Sequence, residues 1–162
     1  MNVFSVKQTP GQRDYLLKED DKIVLKLRYK NDLHTVRVET ESERRALIIE
    51  DEGLLKTKLI LKNEYGIRIG SLIYDNFSDS HGSVDIENIK YRFIVRHAEI
   101  TELNIYKGSR RNHIYTCQLS IEDNDAGETR SQRASLIIAV SWYLFLKNTI
   151  TAKPGFNEAI IL

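Results

Sequence analysis

The residues best placed to do chemistry are cations set at alternate positions in apolar runs. Lys26, Arg28 and Lys30 alternate with Leu25, Leu27 and Tyr29; Lys56, Lys58 and Lys62 accompany Leu55, Leu59 and Leu61; Arg92 and Arg96 accompany Tyr91, Phe93 and Val95. A period of two places each basic set on the strand face opposite its apolar partners. Such a stripe can hold phosphate or carboxylate through charge-assisted hydrogen bonds, with arginine supplying a two-pronged fork. The alternative is a solvated outer face whose charges keep strands from mispairing. Lys26 and Arg28 are the leading candidates for phosphate or head-group ligands, and Lys56 and Lys58 follow.

Other constellations point less far. "DNFSDSHGS" at 75–83 puts Asp75, Asp79, Ser80 and His81 in one loop, offering a nucleophile, a base and an orienting acid for a hydrolase or transferase site near 75–81. A triad is defined by geometry, however, and Ser-His on a polar loop reads equally as a turn. His113 and Cys117 on one strand face would lie about 13 Å apart, too far for one ion. His34, His81 and His97 have no ligand spacing, so no metal site is expected. "EDNDAGE" at 122–128 has Asp123, Asp125 and Gly127 of a calcium loop, but its twelfth position falls at Ala134 or Ser135 instead of glutamate. Gly53, Gly66 and Gly70 lack the strand, glycine loop and helix succession of a phosphate loop. No catalytic residue and no cofactor are implied.

Composition bounds the partners. The 162 residues suit a single domain, 1–162, and the net charge of +1 gives no global field to draw nucleic acid. The aromatic residues fall mostly at inward positions, so no stacking platform for nucleic acid is expected. Cys117 is the sole cysteine, and "MNVFSVKQTP" lacks the basic start and apolar run of a secretory signal. A cytoplasmic setting is therefore expected.

The elements that must position these residues are short strands. Period-two runs recur from residue 15 to about 120, at 23–30, 34–40, 45–50, 54–62, 67–74, 83–86, 90–97, 99–106 and 113–121. Turn chemistry separates them at Glu19-Asp20-Asp21, Lys30-Asn31-Asp32, 63–66 and 107–109. The inward set would include Ile23, Leu25, Leu27, Val36, Val38, Leu59, Leu61, Tyr91, Phe93, Leu103 and Ile105. After Gly127 the period changes. Thr129 and Gln132 form a capping-box pair that starts a helix near 130, ending near 147 or 148, where Lys147 suits the helix dipole.

That helix decides the architecture. "RASLIIAVSWYLFLK" at 133–147 is apolar on every side, yet its uncharged part, 134–146, spans only about 20 Å against a hydrocarbon core of about 30 Å. A helix too short to cross and apolar all round is expected to be enclosed by protein. The expected fold is mainly β: a closed antiparallel β-barrel of about 9–12 strands around one hydrophobic C-terminal helix at about 130–147.

The strand order and late helix, with "IGSLIYD" (69–75), "VDIENIKYRFIV" (84–95), "EITELNIYKG" (99–108) and "SLIIAVSWYLFL" (135–146), resemble the tubby C-terminal-like superfamily over residues 15–147. That group includes the tubby proteins, the phospholipid scramblases and the LURP-one-related proteins. The resemblance implies a barrel without established enzymatic activity. It further implies phospholipid head-group binding through basic surface residues, because Lys26-Leu27-Arg28 looks like the Lys-x-Arg pair with which tubby proteins hold phosphates. The chain departs from the scramblases in lacking a proline-rich N-terminal region and a cysteine cluster, and from tubby proteins in lacking a basic N-terminal extension. The expected function is thus a non-enzymatic module. It would bind an anionic phospholipid at the membrane periphery, or an acidic protein partner, through Lys26, Arg28, Lys56 and Lys58. The loop site at 75–81 and a scaffold with no small ligand are the alternatives.

Overall fold

The structure is a computed structural model of the chain and describes residues 2–32, 34–55, 57–76, 78–120 and 129–152. Eleven strands form among them, most from alternating apolar and polar residues, joined mostly by tight turns. They are β1 (Asn2–Thr9), β2 (Gln12–Glu19), β3 (Lys22–Lys30), β4 (Thr35–Glu39), β5 (Arg44–Glu52), β6 (Lys58–Lys62), β7 (Arg68–Tyr74), β8 (His81–Ile86), β9 (Ile89–Arg96), β10 (Thr101–Lys107) and β11 (His113–Ser120); one helix, α1 (Arg130–Ala152), follows. Three links need only two residues: Pro10-Gly11, Asp20-Asp21 and Glu87-Asn88. Asp20 and Asp21, and then Glu87 and Asn88, all take positive φ, the geometry that matches a hairpin turn to strand twist.

Each strand from β2 to β11 pairs antiparallel with the next, giving a ten-strand antiparallel sheet. The expected closed antiparallel barrel is corrected here, because the two ends of that sheet, β2 and β11, do not pair with each other and the antiparallel sheet is not closed. β1 lies across the seam. It runs antiparallel to β2 from Asn2↔Lys18 to Thr9↔Gln12, but parallel to β11 and only through Asn2↔Gln118, Val3↔Leu119 and Phe4↔Ser120. The reason is parity: with an odd number of strands in alternating directions, the first and last must point the same way. β1 was hidden because "NVFSVKQT" does not alternate.

The sheet wraps the helix. α1 packs against β3 and β4 on one side and β8 and β9 on another. Ala134, Leu136, Ile137, Ile138, Ala139 and Val140 are buried by it together with the inward residues of the strands. Its two buried hydroxyls bond back to its own backbone: Ser135 Oγ donates to the Gln132 carbonyl at 2.6 Å, and Ser141 Oγ to that of Ile137 at 2.8 Å. The predicted capping box forms, with Thr129 N donating to Gln132 Oε1 at 2.9 Å and Gln132 N to Thr129 Oγ1 at 3.2 Å. No helix among the described residues is long and apolar enough to cross a membrane.

Several sequence expectations need correction. The helix continues past Lys147 to Ala152, since Asn148, Thr149 and Ile150 tolerate helical geometry and the first residue opposed to it is Pro154. Ile23, expected inside, is 47% exposed: a register shift between Leu17 and Lys18 interrupts the alternation next to the Asp20-Asp21 turn of the β2–β3 hairpin. Leu55, also expected inside, is 67% exposed, because Gly53 at φ 84° turns the chain and β6 begins only at Lys58. The rest of the inward set is buried. Close strand approach needs glycine at 82, where a Cβ would collide with the Ile73 carbonyl oxygen and lie 2.8 Å from Phe93 Cζ.

Candidate anion-binding site

Strands β2 to β5 carry their polar residues outward, and their outer faces, with the β6–β7 turn, border a half-open cavity of about 540 Å³. Cross-strand register explains what lines it. One row runs Asp14, Arg28, Arg37, Ala46, and a second runs Leu16, Lys26, Glu39, Arg44. Arg45 and Glu64 close one end. The small side chain of Ala46, directly opposite Arg37, leaves the space open between larger neighbours.

Most of the cations here already have partners. Asp14 accepts both prongs of Arg28, from Nε at 2.9 Å and Nη2 at 3.2 Å, and this bond holds the guanidinium still more firmly in its charged form. Glu39 Oε1 lies 3.9 Å from Lys26 Nζ and 3.4 Å from Arg44 Nη2. Arg45 Nε donates to Glu43 at 2.6 Å and its Nη1 to Glu64 at 3.4 Å; the first bond is the larger cause of its raised pKa. Arg37 differs. Among the described residues it has no carboxylate within ion-pair distance, and Arg28 stands directly opposite it on β3. Asp14 already meets the charge of Arg28, so in this row it is the Arg37 guanidinium with which an added anion would pair.

The structure thus brings Lys26 and Arg28 together in one cavity and places Lys58 apart from them. Lys58 lies on β6, where it pairs with Glu52 and holds that carboxyl below its ordinary range. Lys56 lies outside the described residues. Sequence reading missed Arg37, Arg44 and Arg45. The signal for Arg37 was present: "TVRVE" alternates, so Arg37 faces outward, and the Asn31-Asp32 turn places β4 beside β3.

The remaining constellations do not assemble. Asp79 pairs with Arg130 at 2.8 Å, Ser80 Oγ lies 3.2 Å from His81 Nδ1 and 2.7 Å from Ser78 Oγ, and Asp75 takes Arg92 at 2.9 Å. Ser80 thus meets His81, but Asp79 is held by Arg130 and Asp75 by Arg92, so among the described residues no carboxylate orients the imidazole. The bulge between Ile105 and Tyr106 turns His113 outward to Thr116 Oγ1 at 2.9 Å, whereas Cys117 is fully buried. The expected shared face is therefore corrected. The calcium-like stretch 122–128 lies outside the described residues, and among those described no three His, Cys, Asp or Glu side chains converge on a metal position. Comparison with models of protein families, with characterised proteins and with solved structures finds no match to this chain.

Proposed function

We propose that the chain is a non-enzymatic module that binds the anionic group of a ligand, a phosphate or a carboxylate, in the cavity on the outer face of β2 to β5. Arg37 is the anchor, with Arg28 and Lys26 beside it, and the ligand is the head group or acidic partner that the basic face favours. The observation that carries this reading is Arg37, without a carboxylate partner among the described residues, set between Arg28 and Ala46 on the neighbouring strands. A guanidinium so placed can give two parallel hydrogen bonds to one oxyanion. The acids on the cavity wall keep the other cations fixed, so binding requires little reordering of side chains.

The test is an NMR titration with inorganic phosphate at low ionic strength. The reading expects saturable shifts at Arg37, Arg28 and Ala46 that weaken as salt rises. Shifts scattered over every basic surface residue, or none at the cavity, would overturn it.

A further inference from the structure

The charges around the cavity are lopsided, and this narrows the ligand. On one side Asp14 and Arg28 cancel, and Lys26 with Arg44 outweighs Glu39. Toward β6 lies Glu64, which shares the cation Arg45 with Glu43, the residue just before β5. Positive charge therefore concentrates around Arg37 and negative charge around Glu64. The two lie roughly two strand spacings apart, about 10 Å across the sheet. A lone phosphate would fill only part of about 540 Å³. A continuous anionic surface such as a bilayer leaflet would meet repulsion at Glu43 and Glu64, and also at Glu41 in the turn before β5.

We infer that the cavity takes an extended peptide segment of a protein partner, with an acidic or phosphorylated residue at Arg37 and a lysine or arginine three residues away at Glu64. In an extended polyproline II conformation, with three residues per turn and about 3.1 Å per residue, three residues span about 10 Å and bring both side chains to the same face. The inference rests on the anion reading above and adds the partner's charge pattern to it. Opposed charges at a fixed spacing give register and selectivity, since a segment with the wrong sign at the second position meets Glu64 directly.

The experiment is fluorescence anisotropy at low ionic strength with three labelled seven-residue peptides. One has phosphoserine with lysine three residues on, one has the same composition with the two adjacent, and one has glutamate in place of lysine. The first is expected to bind about tenfold tighter than either other peptide. Glu64→Lys should reverse the order in favour of the glutamate peptide, an exchange that a damaged fold could not produce. Equal binding of all three peptides with phosphate still titrating the cavity would overturn the peptide inference and leave the anion reading standing. Salt-sensitive capture by phosphatidylserine vesicles without peptide discrimination would do the same. Failure of both phosphate and peptides would remove both.

Discussion

Replacing Ile138 by alanine tests whether the helix is the centre of the fold. Ile138 is fully buried in the middle of α1, with sheet on both sides. The change removes three carbons, worth roughly 0.8 kcal/mol each on burial, or about 2.4 kcal/mol. The surrounding wall is a hydrogen-bonded sheet that cannot collapse freely into the gap, so a cavity contribution of about 1–2 kcal/mol adds to this. The expected loss is about 4 kcal/mol, a large share of the roughly 5–15 kcal/mol that stabilises a domain. In urea unfolding, with a slope of about 2 kcal/mol/M, the midpoint should fall by about 2 M. Leu54→Ala is the internal control, because Leu54 is fully exposed and its truncation should change stability by less than about 0.5 kcal/mol. If Ile138→Ala cost no more than Leu54→Ala, the helix would not be enclosed by the sheet.

Two further outcomes follow from buried polar groups. Gln132 Oε1 accepts both Thr129 N and the buried Arg13 Nη1, the latter at 3.1 Å, so Gln132→Ala removes a helix cap and a partner of a buried charge. It should cost about 2–4 kcal/mol by chemical unfolding, against about 1 kcal/mol if only the cap mattered. In alkali, desolvation pushes the Cys117 thiol up to about 12 and the Tyr74 phenol up to about 12. The unfolded chain ionises these groups near their ordinary values of about 8.5 and 10, while the folded chain keeps its protons. Stability is then fully present below about pH 8.5 and declines as pH rises toward 12, by about 1.4 kcal/mol per pH unit for each group in its window. Unfolding free energies measured across pH 8–11 check the slope, and Cys117→Ala should remove the part that begins first.

What could be read from the sequence was whatever repeats locally. Alternation located Leu25, Leu27, Val36, Val38, Tyr91 and Phe93 inside, and Thr129 with Gln132 marked the start of the helix. What could not be read depended on partners distant in sequence. β1 has no period of its own and is held by β2 and β11, the latter more than a hundred residues away, so strand parity and the parallel seam stayed hidden. Ile23 and Leu55 obey the local pattern yet lie at strand ends where nothing covers them. The same limit applied to the site. Lys26 and Arg28 stood out as a basic pair, but their carboxylate partners Asp14 and Glu39 come from neighbouring strands, and only the assembled sheet shows that Arg37 has no carboxylate partner among the described residues.

Anion affinity in two single variants tests that conclusion most directly. Phosphate titrations of Arg37→Gln and Lys58→Gln, at the same ionic strength and with unfolding midpoints matched to the parent, separate the cavity from general surface charge. Loss of one charged hydrogen-bonding fork, about 1.5–3 kcal/mol, should weaken binding by Arg37→Gln about 10- to 100-fold and leave Lys58→Gln close to the parent. Equal, small losses in both variants would mean that the basic face attracts anions without a site and would contradict the account.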